Sequence, residues 1–429
     1  MLDGDLGKQE AGANIAEVEF TGLRGPLFKL ALKNSLFTLL TLGIYRFWAK
    51  TWVRRYFWHN IRIRGEALEY TGLPSELLIG FLIALAILTP IFVVYESTYF
   101  FIGDISEMAD MLLTTAYGLT LLAFFQYAFY RMWRYRLSRT VWRGIHFGLD
   151  GSALKYVAIS LGWLIVTILT LGLAYPWYRV ARWRYRTQNM RFGNSQFEFA
   201  GSANKLIKTW LIVVFLPIFL IVALGVLHTA TLLELNNLIN SGSDRDTILR
   251  GIENALIGPL GYSLILAVLI IITQPILYIW YRVREAQYLI GLTACEDAQF
   301  EAPIRILPII GAYLLAFMFI ILLASLLGIV WLGILSVYVS EAQVISNDQA
   351  TSLGEIAGLY LMIVITLPFL ALLVTPVITQ LVLHYNITKH TCSVLRIKNS
   401  EAFDLAVQSA KQGPQHGEGL ADALDVGAI

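Results

Sequence analysis

Six cations recur at helical spacing in two short stretches of this chain. In LTLGIYRFWAK and the residues after it, Arg46, Lys50 and Arg54 fall on one face of a helix at 100° per residue, with Tyr45, Trp48, Trp52 and Tyr56 opposite. In LTLGLAYPWYRVARWRYR, Arg179, Arg182 and Arg186 share one face, with Trp177, Ala181 and Tyr185 on the other. Guanidinium and ammonium groups at this spacing bind phosphate or carboxylate, and rings opposite them sit at headgroup level. The pattern predicts interfacial helices that anchor the chain, with anionic lipid headgroups or a small anion as the contact. Each cation near an anionic leaflet gains about 1 kcal/mol. Nothing in the chain favours nucleic acid.

Arg55 and Arg184 stand apart. Both sit at the edge of the aromatic side, each followed by a tyrosine, Tyr56 and Tyr185. Glu69 and Glu198 are the nearest acids of matching position, so a structural ion pair is expected before a ligand site. Catalytic signatures are missing: there is no phosphate-binding loop, no His-Glu-x-x-His and no Gly-x-Ser-x-Gly. The six histidines are scattered, and Cys295 and Cys392 lack metal-ligand spacing. No enzyme, cofactor or metal site is expected, and the cysteines read as structural thiols.

These residues must be held by a membrane protein. The 429 residues are 57% hydrophobic and only 14% charged, with a mean hydropathy of +0.64; soluble domains carry about 25% charge. The net charge of +2 says little, because charge is sorted by segment. The polar, acidic opening MLDGDLGKQEAGANIAEVEF does not read as a signal peptide. Apolar stretches lie at roughly 27–45, 77–95, 111–130, 154–176, 206–233, 255–281, 304–335 and 356–385. Each approaches the ~20 residues that cross hydrocarbon.

Charge argues against eight crossings. Residues 46–64, 131–143 and 179–191 are rich in arginine, whereas 96–110 carries only acids. Cations mark the cytoplasmic side, so 154–176 has basic segments at both ends and should not cross. It is expected to be re-entrant or a shallow hairpin, broken near Gly162 or at Gly172 and Pro176, and 27–45 is given the same form. The expected architecture is an all-α polytopic membrane protein with six spanning helices and two such segments, eight spans being the alternative. Both termini are then cytoplasmic. The six span cores hold no Asp, Glu, Lys or Arg, which weakens a proton-coupled transporter built on a buried carboxylate. Pro90, Pro217, Pro275, Pro368 and Pro376 read as kinks.

Internal repetition is visible at an offset of 129. Eleven of 33 positions are identical between 40–72 and 169–201, where chance gives roughly two. Arg-Tyr recurs at 55–56, 134–135 and 184–185 and decays to Gln287-Tyr288 and His384-Tyr385. Three repeat units are expected, 1–142, 143–290 and a degenerate 291–403, followed by a loosely ordered acidic tail, 404–429. IRIRGEALEYTG and MRFGNSQFEFAG alternate and turn at Gly65-Glu66 and Gly193-Asn194, and WRGIHFGLDG is a third candidate hairpin. Isolated hairpins are marginal in water, so they should assemble into a small cytoplasmic β-structure.

TLLTLGIYRFWAKTWVRRYFWHNIRIRGEALEYTG, WRGIHFGLDGSALKYV and the second LTLG block resemble the YjgN-type family of bacterial inner-membrane proteins, built around a domain of unknown function. GEGLADALDV is similar to that family's acidic C-terminus. The third block departs: LVTPVITQLVLHYNITKH keeps only Pro376 and Tyr385 and loses the cations. The resemblance implies a multi-pass protein of the bacterial inner membrane and supplies no activity. Two roles are therefore expected: transport or handling of a small anionic or lipid-like substrate, or a non-transporting scaffold that recruits a cytosolic partner. A homo-oligomer fits either role.

Overall fold

A computed structural model of the chain describes residues 15–102, 106–241, 244–345, 371 and 373–409. Four short hairpins are its simplest parts. They pair Ile61–Ile63 (β2) with Glu66–Tyr70 (β3), Thr140–Trp142 (β4) with Ile145–Leu149 (β5), Met190–Phe192 (β6) with Ser195–Phe199 (β7), and Thr293–Cys295 (β8) with Ala298–Glu301 (β9). Each turns on two residues, and the first of the two has positive φ: Arg64, 54°; Arg143, 55°; Gly193, 57°; Glu296, 52°. Such turns match the right-handed twist of the strands they join. The first hairpin turns at Arg64-Gly65, one residue before the expected Gly65-Glu66.

Ile15–Phe20 (β1) and Arg396–Lys398 (β10) complete the sheet. The first half of β1 pairs with β10, Ala16 opposite Ile397, and its second half with β2, Val18 opposite Ile63. The ten strands close into an antiparallel barrel. Ala16, Val18, Phe192, Phe197 and Ile397 point into its core, while Glu17, Glu19, Gln196 and Glu198 alternate outwards.

Between hairpins the chain leaves the barrel as helix pairs and returns to the adjacent strand. The pairs are Arg24–Leu40 (α1) with Arg46–Asn60 (α2), Pro74–Ile102 (α3) with Glu107–Ser138 (α4), Ala153–Leu169 (α5) with Tyr175–Gln188 (α6), and Ile207–Asn240 (α7) with Arg245–Gly291 (α8). Ile306–Ile345 (α9) leaves after β9, and Tyr385–Val394 (α10) leads into β10. Helices and strands group into two compact units. One comprises Met1–Ala158, Arg184–Phe199 and Ile290–Ile429 and contains the whole barrel; the other comprises Ile159–Trp183 and Ala200–Leu289.

Three expectations are corrected. The chain is not all-α, and the assembly of hairpins expected as a small β-structure is a closed ten-stranded barrel that also takes in β1 and β10. Among the described residues five helices, not six or eight, are long and apolar enough to cross a membrane: Pro74–Phe101, Glu107–Ser138, Ile207–Val226, Tyr262–Gly291 and Ile306–Gly333. Most of the apolar stretch 356–385 lies outside the described residues. Finally, the short apolar segments are not hairpins. α1 and α5 are unbroken 17-residue helices, each about 26 Å long against a hydrocarbon core of about 30 Å. Gly162 stays helical, and Pro176 falls in the first turn of α6, where no donor is needed.

Both short helices end in the same way. Leu42 and Gly43 take φ 51° and 92°, Leu171 and Gly172 50° and 89°. The amide of Gly43 donates to Thr38 O, and that of Gly172 to Thr167 O, each at 2.7 Å. Thr41 and Thr170 hydroxyls accept from Tyr45 N and Ala174 N. The Thr-Leu-Gly sequence is therefore a helix stop, with glycine taking the left-handed position that closes the last turn.

Candidate functional site

The basic residues singled out by spacing are largely turned onto aromatic rings and carboxylates. Arg46 lies over Phe47 and Phe81 at 5.0 and 4.8 Å. Lys50 is half-buried on the same helix. Arg54 is only 3% exposed and donates to Tyr70 Oη at 3.3 Å. Arg182 is buried against Tyr178, and Arg186 covers Trp133 at 4.9 Å. Arg179 donates to Glu285 Oε1 at 2.7 Å, and Arg282 also donates to Glu285. A desolvated guanidinium over a ring gains about 2 kcal/mol, so these contacts hold α2 and α6 to their neighbours.

The Arg-Tyr pairs clamp chain corners. Arg55 donates to Gly72 O at 3.0 Å, and Arg134 to Leu149 O at 2.9 Å. Tyr56 Oη donates to Leu23 O at 2.6 Å, Tyr185 Oη to Ser152 O at 2.8 Å, and Tyr288 Oη to Ser202 O at 2.8 Å. Each of these carbonyls lies where a strand gives way to the next helix. Burial raises the phenol pKa of Tyr56 and Tyr185, so both remain donors. Glu69 and Glu198 are exposed on the outer faces of β3 and β7, opposite Val141 and Ala294. Arg184 is exposed on α6.

Polar and cationic groups converge elsewhere. α10 presents Asn386, Lys389, His390 and Ser393, an i, i+3, i+4, i+7 face. Opposite, the first turns of α9 present Pro308, Gly311, Ala312 and Leu315 at the same spacing. Arg24, at the start of α1, joins them. Together they line an open groove of about 480 Å³. Arg24 is held by Asn386 Oδ1 at 2.8 Å and lies over the Tyr385 ring at 5.1 Å. His390 Nε2 accepts the Arg305 amide at 3.0 Å, which leaves the ring proton on Nδ1. Lys389 is exposed.

Among the described residues no acid lines the groove. Its chemistry is two-sided. One wall offers a guanidinium, an ammonium and three neutral polar groups, and the other a smooth apolar strip of Pro308, Gly311, Ala312 and Leu315 at the start of a span-length helix. That combination suits an anionic head on an apolar body. The helical spacing of cations does not reveal these residues, because Arg24 is an isolated cation and 362 positions separate it from Asn386. The four-residue face of α10 was readable by periodicity. Glu285, 1% exposed, was missed because it lies just beyond the apolar core of its helix. Among the described residues no group of His, Cys, Asp and Glu is arranged to hold a metal ion.

Comparison with known proteins adds a family. The inner membrane protein YjgN of Salmonella typhimurium is 27% identical over 178 residues, which cover 36% of this chain and 42% of that protein. The matched stretch thus spans less than half the length of this relative. No solved structure matches. The family described as bacterial protein of unknown function (DUF898) matches residues 16–423, which take in the barrel from the second residue of β1 onwards and both walls of the groove, and the chain belongs to that family.

Proposed function

We propose that this protein is a multi-pass protein of the bacterial inner membrane that handles a small anionic amphiphile, with the barrel and both termini on the cytoplasmic side. The groove between α9 and α10 carries the reading. Arg24 and Lys389 offer positive charge beside an apolar strip that continues along α9 into a span-length segment. Five span-length helices and the inner-membrane relative support the location. The basic helices α2 and α6 support the orientation through the positive-inside tendency. The matching Thr-Leu-Gly turns and Tyr corners support descent from internal repeats. A scaffold that recruits its partner by adding a strand finds no support, because every barrel strand is paired on both sides.

Binding of dioctanoyl phosphatidylglycerol to the full-length chain in detergent tests the proposal, with dioctanoyl phosphatidylcholine and inorganic phosphate as comparisons. The anionic lipid should bind, and Arg24→Gln with Lys389→Gln should weaken it about tenfold or more, the loss of two charge-assisted contacts. Ala312→Leu should obstruct the apolar wall. Equal binding by wild type and the double variant would remove the groove as the site. Equal binding of phosphate and lipid would narrow the substrate to a free anion.

A further inference from the structure

The four two-residue turns lie along one rim of the barrel, and the chain crosses that rim after its last strand. Asn399, at φ 54°, reverses the chain. Ser400–Leu405 then forms a 3-10 turn that drops Phe403 into the barrel core. Its ring centroid lies 5.7 Å from that of Trp142, 5.6 Å from Phe192 and 6.3 Å from Phe300. Asp404 follows directly. Its two oxygens accept from Arg64 Nη1 at 2.9 and 3.0 Å, and Arg143 donates to it as well. Arg64 and Arg143 are the leading residues of the β2–β3 and β4–β5 turns.

Further along, the rim reads backbone. Asn194 N donates to Val407 O at 3.0 Å, and Val407 N donates to Asn194 Oδ1 at 2.8 Å. His146 N donates to Gln408 Oε1 at 2.9 Å. Gly193 makes room for the crossing, since a Cβ there would lie 2.3 Å from Val407 O. Three turns of the barrel thus grip one short segment, a 3-10 turn and the residues after it, by an aromatic pocket, a pair of guanidiniums and main-chain bonds.

We propose that this rim is a peptide-binding site, that residues 400–408 are its built-in occupant, and that it takes from a partner protein a short segment in which an aromatic residue is followed by an acidic one in a 3-10 turn. The occupant is suited to exchange. Its ion pairs are partly exposed, 31% for Arg64, 35% for Arg143 and 40% for Asp404, and such pairs are weak and screened by salt. The 3-10 turn has poorer hydrogen-bond geometry than an α-helix. Among the described residues the indole N–H of Trp142, buried beside Phe403, finds no acceptor; a buried indole normally has one. A segment that supplied one would outcompete the chain's own. This site is separate from the lipid groove and does not depend on it.

The test uses a labelled peptide, SEAFDLAVQ, copied from residues 400–408, and the full-length protein in detergent. A Phe403→Ala, Asp404→Asn variant should bind it saturably and about tenfold or more tighter than wild type, whose own strap competes. Peptides with alanine for the phenylalanine, or asparagine for the aspartate, should lose about the same factor. A folded variant that binds neither better than wild type would overturn the site. Hydrogen exchange on the wild-type protein covers the case of a variant that does not fold. Amides of 400–408 should exchange well ahead of those of the barrel strands, and exchange only together with the strands would equally overturn the proposal.

Discussion

Glu285 has almost no contact with water, and two arginines share it. Arg179 approaches to 2.7 Å from α6, and Arg282 reaches it from one turn earlier on α8. The carboxylate is nearby in charge but not in sequence, 106 positions from Arg179. Removing it as Glu285→Ala leaves a mostly buried guanidinium uncompensated. Such losses cost about 3–5 kcal/mol, and the partial exposure of Arg282 brings the expectation to the lower end. Glu285→Gln, which keeps the shape, should cost less than the alanine variant in a thermal melt. Cys295 and Cys392 make a second, simpler case. Burial pushes their thiols up to about 12 and about 11, so neither forms a thiolate at neutral pH. Both should resist maleimide in the native protein and react on denaturation, which a mass measurement of the labelled chain would show.

The helix stops and corners act one level up, because each fixes where the chain leaves or rejoins the barrel. Gly43 and Gly172 take φ 92° and 89° with open space around them, so a side chain there meets backbone strain alone. Gly43→Ala or Gly172→Ala should therefore cost about 1–2 kcal/mol without any clash. The Tyr corners work by one hydroxyl each. Tyr56→Phe keeps the ring but removes the shorter of the two bonds to Leu23 O, leaving only the Leu27 amide at 3.4 Å, an expected loss of about 1 kcal/mol. Denaturant unfolding of the two substitutions together should show near-additive losses, since the turn at Gly43 and the corner at Leu23 share no partner. The Arg-Tyr pair could be seen in the sequence as a recurring dipeptide. Its task could not, because the accepting carbonyls lie 15 to 86 positions away.

For the molecule as a whole, the barrel is closed at its seam by β1 and across its rim by the strap. Arg143 and Arg64 hydrogen-bond Asp404 and hold its carboxyl below the usual carboxylate range. A carboxyl depressed on folding adds stability above its unfolded pKa of about 4, and that contribution is lost as pH falls through the folded value. Strap amides should hence keep constant protection from neutral pH down to about 5, once the intrinsic exchange rate is factored out, and lose it at lower pH. In Asp404→Asn this acid step should vanish while the barrel strands remain protected. If the acid step persists in Asp404→Asn, the latch is not Asp404.

Local pattern was enough for the local features. Hydropathy marked the apolar segments, Gly-containing dipeptides marked two of the four hairpin turns to within one residue, and Leu-Thr-Leu-Gly marked two helix ends. These signals are legible because periodicity, turn chemistry and the left-handed preference of glycine act over a few residues. Closure of the barrel was not legible. β10 has three residues, and its partner β1 precedes it by nearly the whole chain. No short-range pattern distinguishes five separate hairpin-like pieces from a ring whose inner faces share one core. The same limit hid the groove, where Arg24 meets α10 only after the ring has brought the two ends of the chain together. It also decided how far the cations are exposed. Helical spacing placed Arg54 and Arg182 on an outward basic face, but burial against Tyr70 and Tyr178 is decided by what packs over a helix, which only the tertiary structure supplies.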